Sequence, residues 1–468
     1  MIIFVSFHSA AKSTQGVALK QIKNKSSLCY PLGSTFKPDP HPLPAVTPTS
    51  GRIWYVNGAS GDDENGDGSE AHPWKTIRRA SDDQEHVLEG DTVSISPGVY
   101  REIITFNGGE SGCSGQRNVR NHVTYKSSIP GEYIIIDGSE FPRGTNGLSV
   151  QCGIEGIVFE YFEVRNWLGI SPDSKHPGGQ GGKGIDVYQA RDTIFRNLKL
   201  HDTSHGFKET GGFNTIVDTC EVHNNGIPAS NQGHGFYIQG DGTIITNCRI
   251  YQNGGVTLGT NDNPGMGIQI QSGTYEEEDR SKNMVIYNNQ IYENGNGVSI
   301  DERSENIVFR NNIVYRNMGR GLRVDSRASE VKIHNNTFID NRVSVYFLRL
   351  SDLSGISLKN NILYGRIGIF LDLGKPIDGD IGTFDYNYYW SDEGLEFVYP
   401  GIGAPRDYID FKRWKIMTGQ DRNSSIANPL LDKQFMPGDK SPVIDHGTYV
   451  GLPCSGLAPD VGAFEFGL

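Results

Sequence analysis

Six short segments open on glycine and share one pattern: GIDVYQ, GFKETG, GFYIQG, GIQIQS, GVSIDE and GLRVDS, beginning at Gly184, Gly206, Gly235, Gly267, Gly297 and Gly321. Alternate side chains of an extended strand point to opposite faces. The second and fourth positions are mostly Ile, Val, Leu or Phe and read as inward; the third and fifth then face out. The outward third positions are Asp186, Lys208, Tyr237, Gln269, Ser299 and Arg323, and the fifth are Tyr188, Thr210, Gln239, Gln271, Asp301 and Asp325. Lys208 is a candidate general base and Tyr237 a proton donor or sugar platform. His205 and His234 each stand just before the glycine of a strand and flank the same patch as catalytic or substrate-contacting groups.

These groups can cooperate only if separate segments stack side by side. Aligning VIYNNQIYENG, IVFRNNIVYRN, VKIHNNTFIDN and SLKNNILYGR places an Asn at 289, 312, 336 and 361, at intervals of 23, 24 and 25 residues. A drifting period of this length, with apolar alternation on both sides of a fixed polar position, predicts an all-β, single-stranded parallel solenoid. Its Asn side chains should form a hydrogen-bonded column at one corner. The register extends back to Cys248, Cys220, Leu198 and Phe162 and forward to Asn387, so Cys220 and Cys248 read as small buried thiols one rung apart. Rungs about 4.8 Å apart bring Asp186, Lys208 and Tyr237 onto one sugar, and place Arg323 about 19 Å from Lys208. The insertions SPDSKHPGGQGGKG, IPASNQGHG and VTLGTNDNPGMG border these rungs, and loops of that length in a compact repeat tend to be functional.

A repeat architecture grows along one axis, so 468 residues are compatible with one domain. We expect a leader and Pro-rich linker over 1–51 and the solenoid over 52–468, with PWKTIRRASDDQEHV supplying an N-terminal capping helix through Trp74, Ile77, Ala80 and Val87. The net charge of −12 argues against nucleic acid as partner, so an acidic ligand must be gripped locally. No apolar run is long enough to span a membrane. MIIFVSFHSAAKS lacks the basic start of a secretory signal and reads as a truncated or misannotated one; we expect a secreted or cell-surface protein. Six cysteines are too few for a disulfide scaffold and lack zinc-ligand spacing.

From about Arg52 onward the chain resembles bacterial right-handed parallel β-helix proteins, through YVNGASGDD, PWKTI, GDTVSISPGVY, SPVIDHG and DVGAFEF. More narrowly, Gly206-Phe207-Lys208 followed by Gly211-Gly212 is similar to the lysine-bearing strand of family nine polysaccharide lyases, which are pectate lyase-like. The resemblance implies β-elimination on a uronate-containing polysaccharide, with Lys208 removing the proton beside the carboxylate. It also implies calcium one rung earlier, with Asp186 as its ligand. Where the family carries further aspartates before the glycine, this chain has Gly182 and Lys183. Such a reaction needs positive charge at the substrate carboxylate and a neutral base opposite. A lysine is protonated at neutral pH, so a second cation, calcium on Asp186 or Lys183 itself, must act against protonation.

Tyr188, Gln239, Gln269 and His205 complete the expected substrate-binding surface, and Glu209 joins it if the flanking glycines bulge the strand and turn it outward. Strict alternation instead buries Glu209 beside Val187 and Ile238, where its carboxyl must stay protonated or find a partner. Two other readings stand beside the lyase. One is a glycoside hydrolase using Asp301 and Asp325, outward and one rung apart, near the separation that a retaining pair needs. The other is a non-catalytic solenoid that binds glycans or serves as a structural surface protein.

Overall fold

The computed structural model describes residues 51–466 apart from 84, 108–121, 171–180, 227–232, 255–264, 273–279, 302, 326, 349–354, 373–381 and 400–406. The expected leader and the three long insertions therefore lie wholly or largely outside the described residues.

Each coil contributes three short strands. In one coil these are His205–Phe213, Ile216–Asp218 and Glu221–His223, and each pairs in parallel with its counterpart at Phe236–Asp241, Ile244–Thr246 and Arg249–Tyr251. Repetition builds a solenoid, mostly β with long parallel sheets, in which one column alone holds 12 strands. The inside is filled by side chains of successive rungs: Phe106, Phe159, Phe195, Phe207 and Phe236 early, then mainly Ile, Val and Leu.

The corners explain the repeat. Asn288, Asn311, Asn335 and Asn360 all have positive φ, between 52° and 56°, a conformation that Asn tolerates and that turns the chain sharply. The next residue at each corner points inward. Asn289, Asn312, Asn336, Asn361 and Asn387 form a column in which each Oδ1 accepts from the backbone N–H and the Nδ2 of the Asn one rung earlier, at 2.9–3.1 Å. Cys248 precedes this column, its backbone N–H donating to Asn289 Oδ1 at 2.9 Å. Cys220 stands one rung before Cys248, and both thiols are free and buried. A second column, Asn225, Asn253, Asn294, Asn317 and Asn341, runs along the other corner with the same bonding.

The strands between the two corners carry a row of rings. His201, His223, Tyr251, Tyr292 and Tyr315 stack nearly parallel, with centroids 4.7–4.9 Å apart.

At the N-terminal end the helix Ile77–Asp82 buries Ile77 and Ala80, with Thr76 capping it by accepting from the Arg79 N–H. Asp62, Asp63 and Asp67 in the loop before it accept backbone N–H groups and so act as turn caps. At the other end the strand Asp407–Ile409 pairs antiparallel with Glu396–Tyr399, and the helix Phe411–Thr418 lays buried Trp414 on Phe397. The final segment, expected to close the domain, runs back along the side: Asn311, Asn335 and Asn360 donate to the carbonyls of Ala463, Asp460 and Thr448.

Candidate functional site

The site lies on the outer face of five adjacent strands: Lys183–Tyr188, His205–Phe213, Phe236–Asp241, Met266–Ile270 and Asn296–Ile300. Register pairs Asp186 with Lys208, Lys208 with Tyr237, Tyr237 with Gln269 and Gln269 with Ser299, so the predicted outward column is continuous. Arg323 follows opposite Ser299. Alternation places Ile185, Phe207, Phe236 and Ile268 in the core, which fixes the direction of every residue between them.

Lys208 stands half-buried between Asp186 and Tyr237. Among the described residues no carboxylate lies within ion-pair distance of its ammonium, which sits 5.2 Å from the centre of the Tyr237 ring. Burial, and then the charge of Lys183, lower its pKa, against the opposing pull of Asp186. Tyr237 packs against two imidazoles, with centroids 5.9 Å from His205, 5.8 Å from His234 and 5.5 Å between the histidines. Burial, helped by the charge of Asp301, raises the Tyr237 pKa, so the phenol holds its proton and can donate it.

His234 is 3% exposed, and its Nδ1 accepts the Met266 backbone N–H at 3.0 Å, which leaves the proton on Nε2. Burial brings its pKa down to about 4, with Asp301 opposing and Arg323 assisting. Burial, then His234, Lys208 and Lys183, push His205 well below its usual range. Both rings are therefore neutral at pH 7. They wall the Tyr237 side of the site, and only the Nε2–H of His234 is fixed as a donor.

Among the described residues, Asp186 is met by hydrogen-bond donors and not by further metal ligands. Its Oδ2 accepts from Lys183 Nζ at 2.8 Å and from Asn146 Nδ2 at 3.1 Å. Among the described residues no group of three or more His, Cys, Asp or Glu side chains is arranged to hold a metal ion. A calcium site needs several oxygen ligands around one point. Here one carboxylate faces an ammonium, so these residues do not fit the calcium expected from the resemblance. Lys183, together with Asn146 from the preceding coil, is the part of the site that sequence reasoning underused. GGKG was treated as the tail of an insertion, whereas Lys183 begins the strand.

Glu209 corrects another expectation. It is 0% exposed and lies in register between Val187 and Ile238, inside the solenoid, so it does not belong to the substrate-binding surface. A bulge does occur, but beyond it, between Thr210 and Gly212, where Gly211 has φ 65°. Thr243 Oγ1 donates to Glu209 Oε2 at 2.7 Å, while Oε1 is buried with no hydrogen-bond partner among the described residues. Burial raises its pKa to about 7, against the hydroxyls of Thr215 and Thr243.

Tyr188 is 40% exposed and Gln239 is half-buried, both outward beside Thr210. Gln269 is already engaged, its Nε2 donating to Gln271 Oε1 at 3.0 Å and Asp301 Oδ2 at 2.6 Å. Asp301 also accepts from Ser299 Oγ at 2.5 Å and Arg323 Nη2 at 2.6 Å, and Arg323 reaches Asp325 at 3.4 Å. One guanidinium therefore ties both carboxylates of the hydrolase reading. A pair clamped in this way lacks the free acid and free nucleophile that glycoside hydrolysis requires.

Residues 156–365 match the family model described as the right handed beta helix region. A search of curated protein sequences finds no match. Among solved structures, pectate lyase Pel9A is 19% identical, with a TM-score of 0.57 over 90% of this chain and 98% of that one. An alginate lyase from Paenibacillus sp. str. FPU-7 is 13% identical, with a TM-score of 0.45 over 75% of this chain and 96% of that one. PfbA, a surface adhesin of Streptococcus pneumoniae, is 11% identical, with a TM-score of 0.41 over 68% and 86%. At such identities likeness carries the fold and leaves the chemistry to the site. The chain is a right-handed parallel β-helix protein.

Proposed function

We propose that the protein is a polysaccharide lyase that cleaves a uronate-containing, pectate-like glycan by β-elimination, with Lys208 as the base. The observation that carries this reading is the state of Lys208: outward, half-buried, unpaired with any described carboxylate and lowered in pKa beside a phenol that keeps its proton. Asp186 lies directly opposite on the next rung and would hold Lys208 protonated, but Lys183 neutralises it.

In this mechanism neutral Lys208 removes the proton beside the sugar carboxylate. The freed electron pair forms the ring double bond and expels the glycosidic oxygen, which takes a proton from Tyr237. Lys183, by pairing with Asp186, keeps that side chain from repelling the sugar carboxylate as it becomes more electron-rich. His205 and His234, both neutral, exclude water from that side without competing for the proton. The helix Ile77–Asp82 would cover the first coil of the solenoid. Secretion or display at the cell surface fits the reading, since Cys152 and Cys454 are in disulfide bonds, which persist in oxidising compartments.

The test is ultraviolet detection of unsaturated uronides from pectate, alginate and glycosaminoglycans, with wild type and Lys208→Ala. Wild type should generate the new absorbance on at least one substrate and Lys208→Ala should lose it by about a thousandfold or more, consistent with loss of an acid–base group. Equal rates for the two proteins would remove Lys208 from the role of base.

A further inference from the structure

Beyond the site, where the strands bulge, a cavity of about 260 Å³ opens between Arg191, Arg280 and Lys282, with Asp241 as the one acid in its lining. The lining holds three cations and one carboxylate in a chain of net charge −12, and outside it Glu305 Oε2 lies 3.6 Å from Arg280 Nη1. Asp241 is itself engaged: Asn283 Nδ2 donates to its Oδ1 at 2.7 Å, and Lys282 Nζ lies 3.7 Å from its Oδ2. The Arg191 guanidinium rests 4.2 Å from the centre of the Phe213 ring, which holds it at the rim.

The floor is bare backbone for a reason found underneath. A Cβ on Gly212 would come within 2.0 Å of Glu209 Oε1, and one on Gly240 within 3.0 Å of the same carboxyl. The buried Glu209 thus excludes a Cβ at Gly212 and crowds one at Gly240, and both residues meet the cavity with backbone alone. Gly240 follows Tyr237 by three residues on one strand, about 10 Å along the face, roughly the length of two linked pyranose rings.

We infer that this cavity is a subsite for a carboxylate carried about two sugars from the one whose proton Lys208 removes. The inference rests on the β-elimination reading for the direction in which the glycan lies. Guanidinium and ammonium groups recognise carboxylates through charge-assisted hydrogen bonds, and the volume suits one acidic substituent rather than a whole oligosaccharide. The ligand is therefore an oligouronate, and its acid can recur on every sugar or on every second one.

The experiment compares wild type, Arg191→Gln, Lys282→Gln and the double variant, with Lys126→Gln on an exposed position of a different strand as control. Steady-state elimination is measured on oligogalacturonates of two to six units and on an alternating glycosaminoglycan oligosaccharide. The double variant should raise KM by about tenfold or more on chains of four to six units, leave kcat within about twofold, and behave like wild type on the disaccharide. Activity on the alternating chain with the same loss would assign the acid to every second sugar; loss on the galacturonates alone would assign it to the homopolymer. Unchanged KM at every length overturns the subsite. Calorimetric binding of hexagalacturonate and of the alternating hexasaccharide to Lys208→Ala, with and without the Arg191 and Lys282 changes, separates the two ideas. Binding that needs these cations while no uronide is ever released leaves the subsite standing and refutes the lyase. No binding of either probe overturns the subsite.

Discussion

Replacing Glu209 by Gln should change how stability depends on pH, because this carboxyl is buried beneath the site strands. In the unfolded chain it titrates near 4.5 and in the folded protein near 7. Between these values the folded state keeps a proton that the unfolded state has lost, so stability falls as pH rises through this window and is level above it. The shift of about 2.5 pKa units corresponds to roughly 3 kcal/mol. Gln preserves the shape and can still accept from Thr243 through its carbonyl, but it carries no charge to desolvate. The variant should therefore match wild type near pH 4.5 and exceed it by about 3 kcal/mol at pH 8. Urea unfolding followed by circular dichroism between pH 4.5 and pH 8 measures the difference directly. A gap between the two proteins that stays constant across this range would falsify the assignment of a proton to Glu209.

Lys183→Gln should move the acid limb of the pH–rate profile to higher pH. It removes the charge that lowers the Lys208 pKa and leaves Asp186 free to raise it; an unmoved or downward-shifted limb in kcat/KM would exclude this coupling. Because Asp186 is committed to Lys183 and Asn146, incubation with a chelator should leave elimination within about twofold of the untreated rate. Complete loss restored by calcium would show a metal that the described residues do not account for. Asn312→Ala should cost about 2–4 kcal/mol in urea unfolding, since it strips an acceptor from the Asn289 N–H and Nδ2 and deprives Asn336 of a donor. Cys220 and Cys248 should resist a thiol reagent until the protein unfolds, being buried and, for Cys220, raised in pKa by burial.

Much of this arrangement is legible because a solenoid converts sequence spacing into lateral neighbours. The glycine-led segments alone order Asp186, Lys208, Tyr237, Gln269, Ser299 and Arg323, and the register follows that order. The second Asn column escaped notice although its signal is present: Asn294, Asn317 and Asn341 each follow a member of the first column by five residues. The Lys183–Asp186–Asn146 contact is harder to read, since Asn146 comes from the preceding coil, 40 residues before Asp186. Glu209 shows the limit of pattern reasoning. Alternation gives its direction, but only the threonine at 243, a coil later, explains how a carboxyl is tolerated there. The return of the last segment along the flank depends on contacts across 88 to 152 residues, for which no periodicity exists.

The row from His201 to Tyr315 has a mechanical consequence. Rings piled face to face at 4.7–4.9 Å match the pitch of the backbone rungs, so the row acts as a strut that resists sliding of one coil over the next. Its faces are spent on one another and only edges meet solvent, which leaves this flank poorly suited to grip a sugar. Loops between coils can then grow or shrink in evolution while the spacing of the working side chains across the molecule stays constant.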